Sequence, residues 1–234
     1  MSARTYGDSS QPLDILALAP HPDDAEIGCG GTLLVAAAQG QRTGILELTR
    51  GELGTLGTPA IRDAEATAAA KILGLAYRGN LRWADGSVMD TPTYRLELAA
   101  VIRELRPRVL LVPHESDRHP DHVGAARVAV AAVHFASLKN APLGGNPHRV
   151  AQVLHYQGNA DIAANVLSDV SSVIDDWQRA VMAHGSQFTG AEVSETVSPL
   201  ILERRRARMG YWGAFAGVGF AESFESFTPL IWKP

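Results

Sequence analysis

Two short clusters hold the side chains that can do chemistry in this chain. Pro20-His21-Pro22-Asp23-Asp24 supplies one imidazole and two carboxylates, and Arg118-His119-Pro120-Asp121-His122 supplies two imidazoles and one carboxylate. A catalytic zinc site takes three His or carboxylate ligands and keeps one position for a water, whose pKa falls to about 7. Together His21, Asp23, Asp24, His119, Asp121 and His122 exceed what one ion needs. The surplus suits hydrolysis, which also requires a proton acceptor for the water and a proton donor for the leaving group. Taken alone, each residue has a plainer role. Asp23 or Asp24 would cap a helix, and His119 or His122 would be a surface imidazole. Position favours the metal reading, because each cluster follows an apolar run, residues 13–19 or 109–113, and opens a helical stretch.

The apolar run 13–19 is nearly continuous, as in a strand covered on both faces. A helix over 26–39 follows, glycine-rich at its start, and then a strand over 43–49. Residues 50–59 hold glycine, threonine and proline without helical periodicity and read as a loop. The pattern then gives a helix from Thr58-Pro59 to about Leu73, a short strand over 77–82 and a turn at Asp85-Gly86-Ser87. An amphipathic helix over 94–105, a strand over 109–112 and a helix over 120–137 come next. After a loop over 138–147, strands are expected over 150–157 and 166–170, and helices over 171–183 and 199–212. A Gly- and Phe-rich tail, 217–227, closes the chain. Alternating strands and helices predict the α/β class: one Rossmann-like, mostly parallel sheet flanked by helices, with the site at the carboxyl ends of the strands. Residues 1–12 read as a flexible tail and 13–234 as a single domain.

At 234 residues, with 46% hydrophobic and 20% charged residues, the chain is an ordinary globular protein. A net charge of −4 gives no reason to expect nucleic acid or an anionic membrane as partner. The basic stretch 203–208 lies in a helical pattern and reads as a solvated face. Cys29 is the only cysteine, which excludes an internal disulfide and points to a reducing compartment. The polar start is unlike a signal peptide, and no apolar run approaches the ~20 residues of a membrane span. The expected location is the cytoplasm.

The stretch Ala19-Pro20-His21-Pro22-Asp23-Asp24-Ala25-Glu26-Ile27-Gly28, followed by Gly30-Gly31-Thr32, resembles the first motif of the LmbE-like (PIG-L) zinc-dependent N-deacetylases. Arg118-His119-Pro120-Asp121-His122 resembles the second, and the likeness extends over nearly the whole chain. The resemblance implies that His21, Asp24 and His122 bind Zn2+, with Fe2+ or another divalent ion as alternatives. It implies Asp23 as general base, and a protonated His119, oriented and charged by Asp121, that stabilises the oxyanion or assists the departing amine. Arg62 resembles an arginine that contacts the sugar; Arg118 and Glu52 are further candidate substrate contacts. Attack of zinc-bound water on an acetamide would give acetate and a free sugar amine. The nearest subgroup by resemblance is the bacillithiol-pathway deacetylases of N-acetylglucosaminyl malate, with mycothiol-type conjugates or chitooligosaccharides as alternative substrates. A trimer or hexamer is expected on the same ground.

Three other readings compete. A two-His-one-carboxylate iron oxygenase uses the same ligand types, but leaves the extra acid and base groups without a task. A nucleotide-binding module would rest on Gly28-Cys29-Gly30-Gly31, and the full dinucleotide fingerprint fails at Leu33. A non-catalytic sugar binder would not require every motif position to be filled.

Overall fold

The computed structural model describes residues 3–188 and 199–229. Eight strands form one sheet in the order β1-β4-β3-β2-β5-β6-β8-β7. They are β1 (Ala3–Gly7), β2 (Ile15–Ala19), β3 (Thr43–Thr49), β4 (Tyr77–Trp83), β5 (Val109–Pro113), β6 (Gln152–Tyr156), β7 (Val166–Asp169) and β8 (Ala221–Glu225). From β4 through β3, β2 and β5 to β6 the strands run parallel. The antiparallel pairings are β1 on β4 at one edge, and β8 on β6 and β7 on β8 towards the other.

Every residue of β2 is buried, as its unbroken apolar run demands. Ile15, Ala17 and Ala19 enter the core on one face, and Leu16 and Leu18 enter the core on the other. Helices α1 (Asp24–Ala38), α2 (Pro59–Ile72) and α5 (Ile174–Met182) contribute to the first core. Helices α3 (Pro92–Leu105) and α4 (Pro120–Ser137) build the second. The short α6 (Gly185–Phe188) and the long α7 (Pro199–Ala216) complete the set. Helix starts follow their caps: Thr58 and Thr91 accept from the backbone of Ile61 and Tyr94, each with proline at the next position.

The sequence departs from this architecture at both ends. The expected tail over residues 1–12 contains β1, whose edge pairing with β4 could not be read from a polar segment. The expected closing tail contains β8, which lies inside the sheet between β6 and β7. Its Ala-Glu-Ser-Phe-Glu sequence lacks the apolar run that marks β2 and β5, yet its first four residues are buried. Among the described residues, no helix is long and apolar enough to cross a membrane.

Strand order reverses at β2, with β3 on one side and β5 on the other. Connections there leave in opposite directions and open a crevice at the carboxyl ends of the two strands. Both His/Asp clusters emerge into it.

Candidate active site

The loop after β2 brings His21 Nδ1 to 3.0 Å from Asp24 Oδ2, and the start of α4 brings His122 Nε2 to 3.3 Å from Asp24 Oδ1. His21, Asp24 and His122 thus offer ligand atoms that all lie within 4.8 Å of one another. The far nitrogen of each ring meets a second carboxylate. His122 Nδ1 is 3.1 Å from Asp117 Oδ2, and His21 Nε2 is 3.0 Å from Asp85 Oδ1 and 3.2 Å from Asp121 Oδ2. A carboxylate there holds the ring proton and leaves the near nitrogen's lone pair for a metal. Two such imidazoles and one carboxylate fit zinc or another borderline divalent cation. His21, His119 and Asp121 form a second possible group. It fits less well, because both Asp121 oxygens already accept backbone N–H bonds, from Gly86 at 2.8 Å and Val88 at 3.1 Å.

Asp23 sits beside this triad in a conformation that L-residues avoid, with φ 114° and ψ −28° at the cap of α1. Such a backbone costs on the order of 1–3 kcal/mol and persists only where surroundings enforce it. Burial pushes its carboxyl up to about 6, against the attraction of Arg62. Arg62 is buried and donates to Gly51 O at 3.0 Å and Pro22 O at 2.6 Å, with Nη2 3.6 Å from Asp23 Oδ1. It therefore ties the 50–59 loop to the first motif as well as lining the cavity. Glu65, which could have paired with it in solvent, instead accepts from the N–H and hydroxyl of Ser186.

His119 meets Asp121 through the main chain. Its Nδ1 accepts the backbone N–H of Asp121 at 3.2 Å, while the Asp121 carboxylate faces His21 and the turn at Gly86. Burial and the neighbouring His21 and His122 hold its pKa below the usual imidazole value. Asp121 thus orients His119 through its backbone N–H, and its carboxylate acts on the ring in the raising direction.

These groups open into a cavity of about 500 Å³, within the range of small-ligand sites. Leu53, Gly54, Thr55 and Leu56 of the loop line it, and exposed Arg118 stands at its rim. Glu52 is not part of the lining among the described residues. Its carboxylate accepts from Arg50 N at 3.0 Å and Asp85 N at 3.4 Å, fastening the loop to the turn after β4. Sequence reasoning misses Arg205, which lines the cavity from α7 and donates to the carbonyls of Gln157 and Gly158. It belongs to the basic run 203–208, which by pattern alone reads as a solvated face.

A buried ionic network outside the cavity holds the start of α1. Arg78 of β4 meets Glu26 at 2.5 Å and Glu47 at 2.6 Å, His184 Nε2 lies 3.0 Å from Glu26, and Asn80 donates to Glu47 at 3.0 Å. Arg78 and His184 together hold the Glu26 carboxyl far below its ordinary range despite complete burial. Glu26 thus anchors the helix that carries Asp24 to the sheet.

Comparisons with known proteins agree with this geometry. Residues 16–133 match the family model described as PIG-L, GlcNAc-PI de-N-acetylase. The chain is 32% identical over 232 residues to a diacetylchitobiose deacetylase of Thermococcus kodakarensis, covering 93% of this chain and 84% of that protein. It is 32% identical over 175 residues to a 1D-myo-inositol 2-acetamido-2-deoxy-alpha-D-glucopyranoside deacetylase of Thermobispora bispora, covering 60% of this chain and 58% of the relative. Among solved structures, the conserved protein TT1542 of Thermus thermophilus superposes with a TM-score of 0.90 at 51% identity, covering 95% of this chain and 98% of that one. With family model, full-length relative and fold in agreement, the chain belongs to the PIG-L (LmbE-like) family and is an N-deacetylase.

Proposed function

We propose that this enzyme hydrolyses the acetamide of a small N-acetylglucosamine conjugate, using a divalent cation, zinc in the first instance, held by His21, Asp24 and His122. The observation that carries the reading is the triad itself, with both rings backed by carboxylates and Asp23 buried alongside. A cation bound there supplies Lewis acidity, polarising the carbonyl and acidifying water. Asp23 takes a proton from the attacking water as its oxygen bonds to the acetamide carbon; a positioned base of this kind is worth roughly 10²–10⁴-fold. His119, with Nδ1 occupied as an acceptor, carries its N–H on Nε2 when neutral, where it can donate to the oxyanion. The C–N bond then breaks as the proton held by Asp23 passes to the departing nitrogen, and the products are acetate and a sugar amine. The protein names of the two deacetylase relatives support a glucosamine-type substrate. Arg118 and Arg205 at the cavity favour an anionic aglycone, and so keep N-acetylglucosaminyl malate first among the candidates.

An amine-release assay decides between substrates. N-acetylglucosaminyl malate, diacetylchitobiose, the N-acetylglucosaminyl inositol conjugate and free N-acetylglucosamine are each offered to metal-loaded and chelator-treated enzyme. Release from at least one, abolished by chelator and restored by zinc, is expected. Silence on all four after metal reconstitution would overturn the reading.

A further inference from the structure

Asp85, in the turn after β4, carries a role that turn chemistry does not explain. Its two carboxylate oxygens serve different parts of the site. Oδ1 lies 3.0 Å from His21 Nε2, and Oδ2 accepts the backbone N–H of Leu53 at 2.8 Å. Leu53 begins the part of the loop that lines the cavity, and its side chain is 72% exposed, so packing does little to hold it. The turn itself is fixed from the second motif, because Gly86 and Val88 donate to the Asp121 carboxylate. Glu52 returns the contact by accepting from Asp85 N. We infer that Asp85 is a positioning residue that couples the seating of the 50–59 loop over the substrate cavity to the presentation of His21 to the metal.

The physical argument is that one carboxylate cannot easily serve one partner without the other. With the loop seated, the Leu53 N–H fixes the Asp85 rotamer and aims Oδ1 at His21. A cation on His21 Nδ1 leaves the ring proton on Nε2, which needs an acceptor. Asp121 Oδ2 accepts from that nitrogen at 3.2 Å but also takes the Gly86 N–H, and Asp85 Oδ1 at 3.0 Å supplies a second carboxylate to share the ring proton. A loop that lifts frees Asp85 to rotate and leaves His21 less well held. Linkage makes the relation reciprocal: whatever the seated loop adds to metal affinity, the metal adds to loop closure. This inference rests on the reading of His21 as a ligand.

The test uses the full chain and zinc itself. Zinc dissociation constants are measured by chelator competition for wild type, His21→Ala, Asp85→Asn and Asp85→Ala, with thermal melts to confirm folding. Amide hydrogen exchange of the 50–59 loop is followed with and without zinc. Asn at 85 can still accept from Leu53 but turns an N–H towards His21. The expected result is zinc binding weakened roughly 10–100-fold in Asp85→Asn, the usual cost of losing a ligand's outer partner. In wild type the Leu53 amide should exchange more slowly with zinc present, by up to the same factor. In Asp85→Ala that amide should exchange fast and ignore zinc. Wild-type zinc affinity in Asp85→Asn, or loop exchange indifferent to zinc in wild type, overturns the coupling while leaving the metal site intact. Unchanged zinc binding in His21→Ala would instead remove the metal reading, and this inference with it.

Discussion

The carboxylate of Glu222 accepts from both the backbone N–H of Thr32, at 2.7 Å, and its hydroxyl, at 2.6 Å, across 190 positions of sequence. Its other oxygen takes the N–H of Gly31 at 2.8 Å. These donors are free because α1 breaks at Cys29, where φ is −151° and ψ is 17°. An acid from the last strand thus caps the second half of a helix whose first half carries Asp24.

The burial of that carboxyl gives stability a pH dependence. Burial lifts the Glu222 carboxyl from 4.5 to about 7, in spite of the bonds from Thr32 and Gly31. An acid raised in this way keeps a proton that the unfolded chain has already released. Its contribution is full below pH 4.5 and is lost as pH rises through about 7. The span is on the order of 3 kcal/mol. Glu222→Gln also loses part of the cap at every pH, so the slope is the diagnostic quantity. Urea unfolding at pH 5 and pH 8 should show wild type losing more stability than the variant over that interval. Parallel losses would mean that Glu222 does not titrate there.

Arg78 should be among the least replaceable residues outside the cavity. It is fully buried between Glu26 and Glu47, and removing it leaves two buried carboxylates without their cation. Breaking a buried pair this way costs about 3–5 kcal/mol. Arg78→Met should lower the melting temperature steeply. Arg95→Ala, which breaks the exposed pair with Asp90, should leave the melting temperature nearly unchanged. Similar melting curves for the two variants would refute the network's structural weight.

How far the sequence speaks for itself depends on distance along the chain. The apolar runs of β2 and β5 and the clusters behind them are local signals, and they locate the crevice. Asp117 lies one position before the second motif, yet only the fold shows it bonding His122. Asp85 and Glu222 act on residues far away in sequence, His21 and Gly31, so no spacing announces them. Arg62 is recognisable as a site residue, but whether it faces solvent or the loop carbonyls depends on tertiary burial. β1 and β8 escape for the same reason: edge pairing and inter-strand insertion are decisions of the sheet, not of the segment.

Gly28 is required by contact with a side chain. A Cβ there would lie 2.4 Å from Cδ2 of Tyr156, and Tyr156 is itself held by its hydroxyl bond to Leu18 O at 2.9 Å. Neither ring nor helix can withdraw without moving the first motif. Gly28→Ala should therefore cost roughly 1–3 kcal/mol by overpacking and weaken zinc binding through displacement of Asp24. Gly144, with nothing within 4 Å of its added Cβ, is the matched control and should accept alanine nearly neutrally. Equal stability and zinc affinity in both variants would show that the α1 start yields more easily than this packing implies.

Asp23 and Asp24 are neighbours with different partners, and substitution should separate them. Asp24 touches both candidate ligand imidazoles, one through each oxygen. Asp23 faces the Arg62 guanidinium instead, and has the strained backbone. Asparagine tolerates positive φ better than most residues, so Asp23→Asn removes the base with little added backbone cost. The expected outcome is near-stoichiometric zinc with turnover reduced roughly 10²–10⁴-fold. Asp24→Asn should lose zinc and activity together, since it removes the carboxylate between the two rings. Metal content by atomic spectroscopy alongside turnover reads both effects. Loss of zinc in Asp23→Asn would show that this carboxylate ligates the metal, and the proton would then need another acceptor in the crevice.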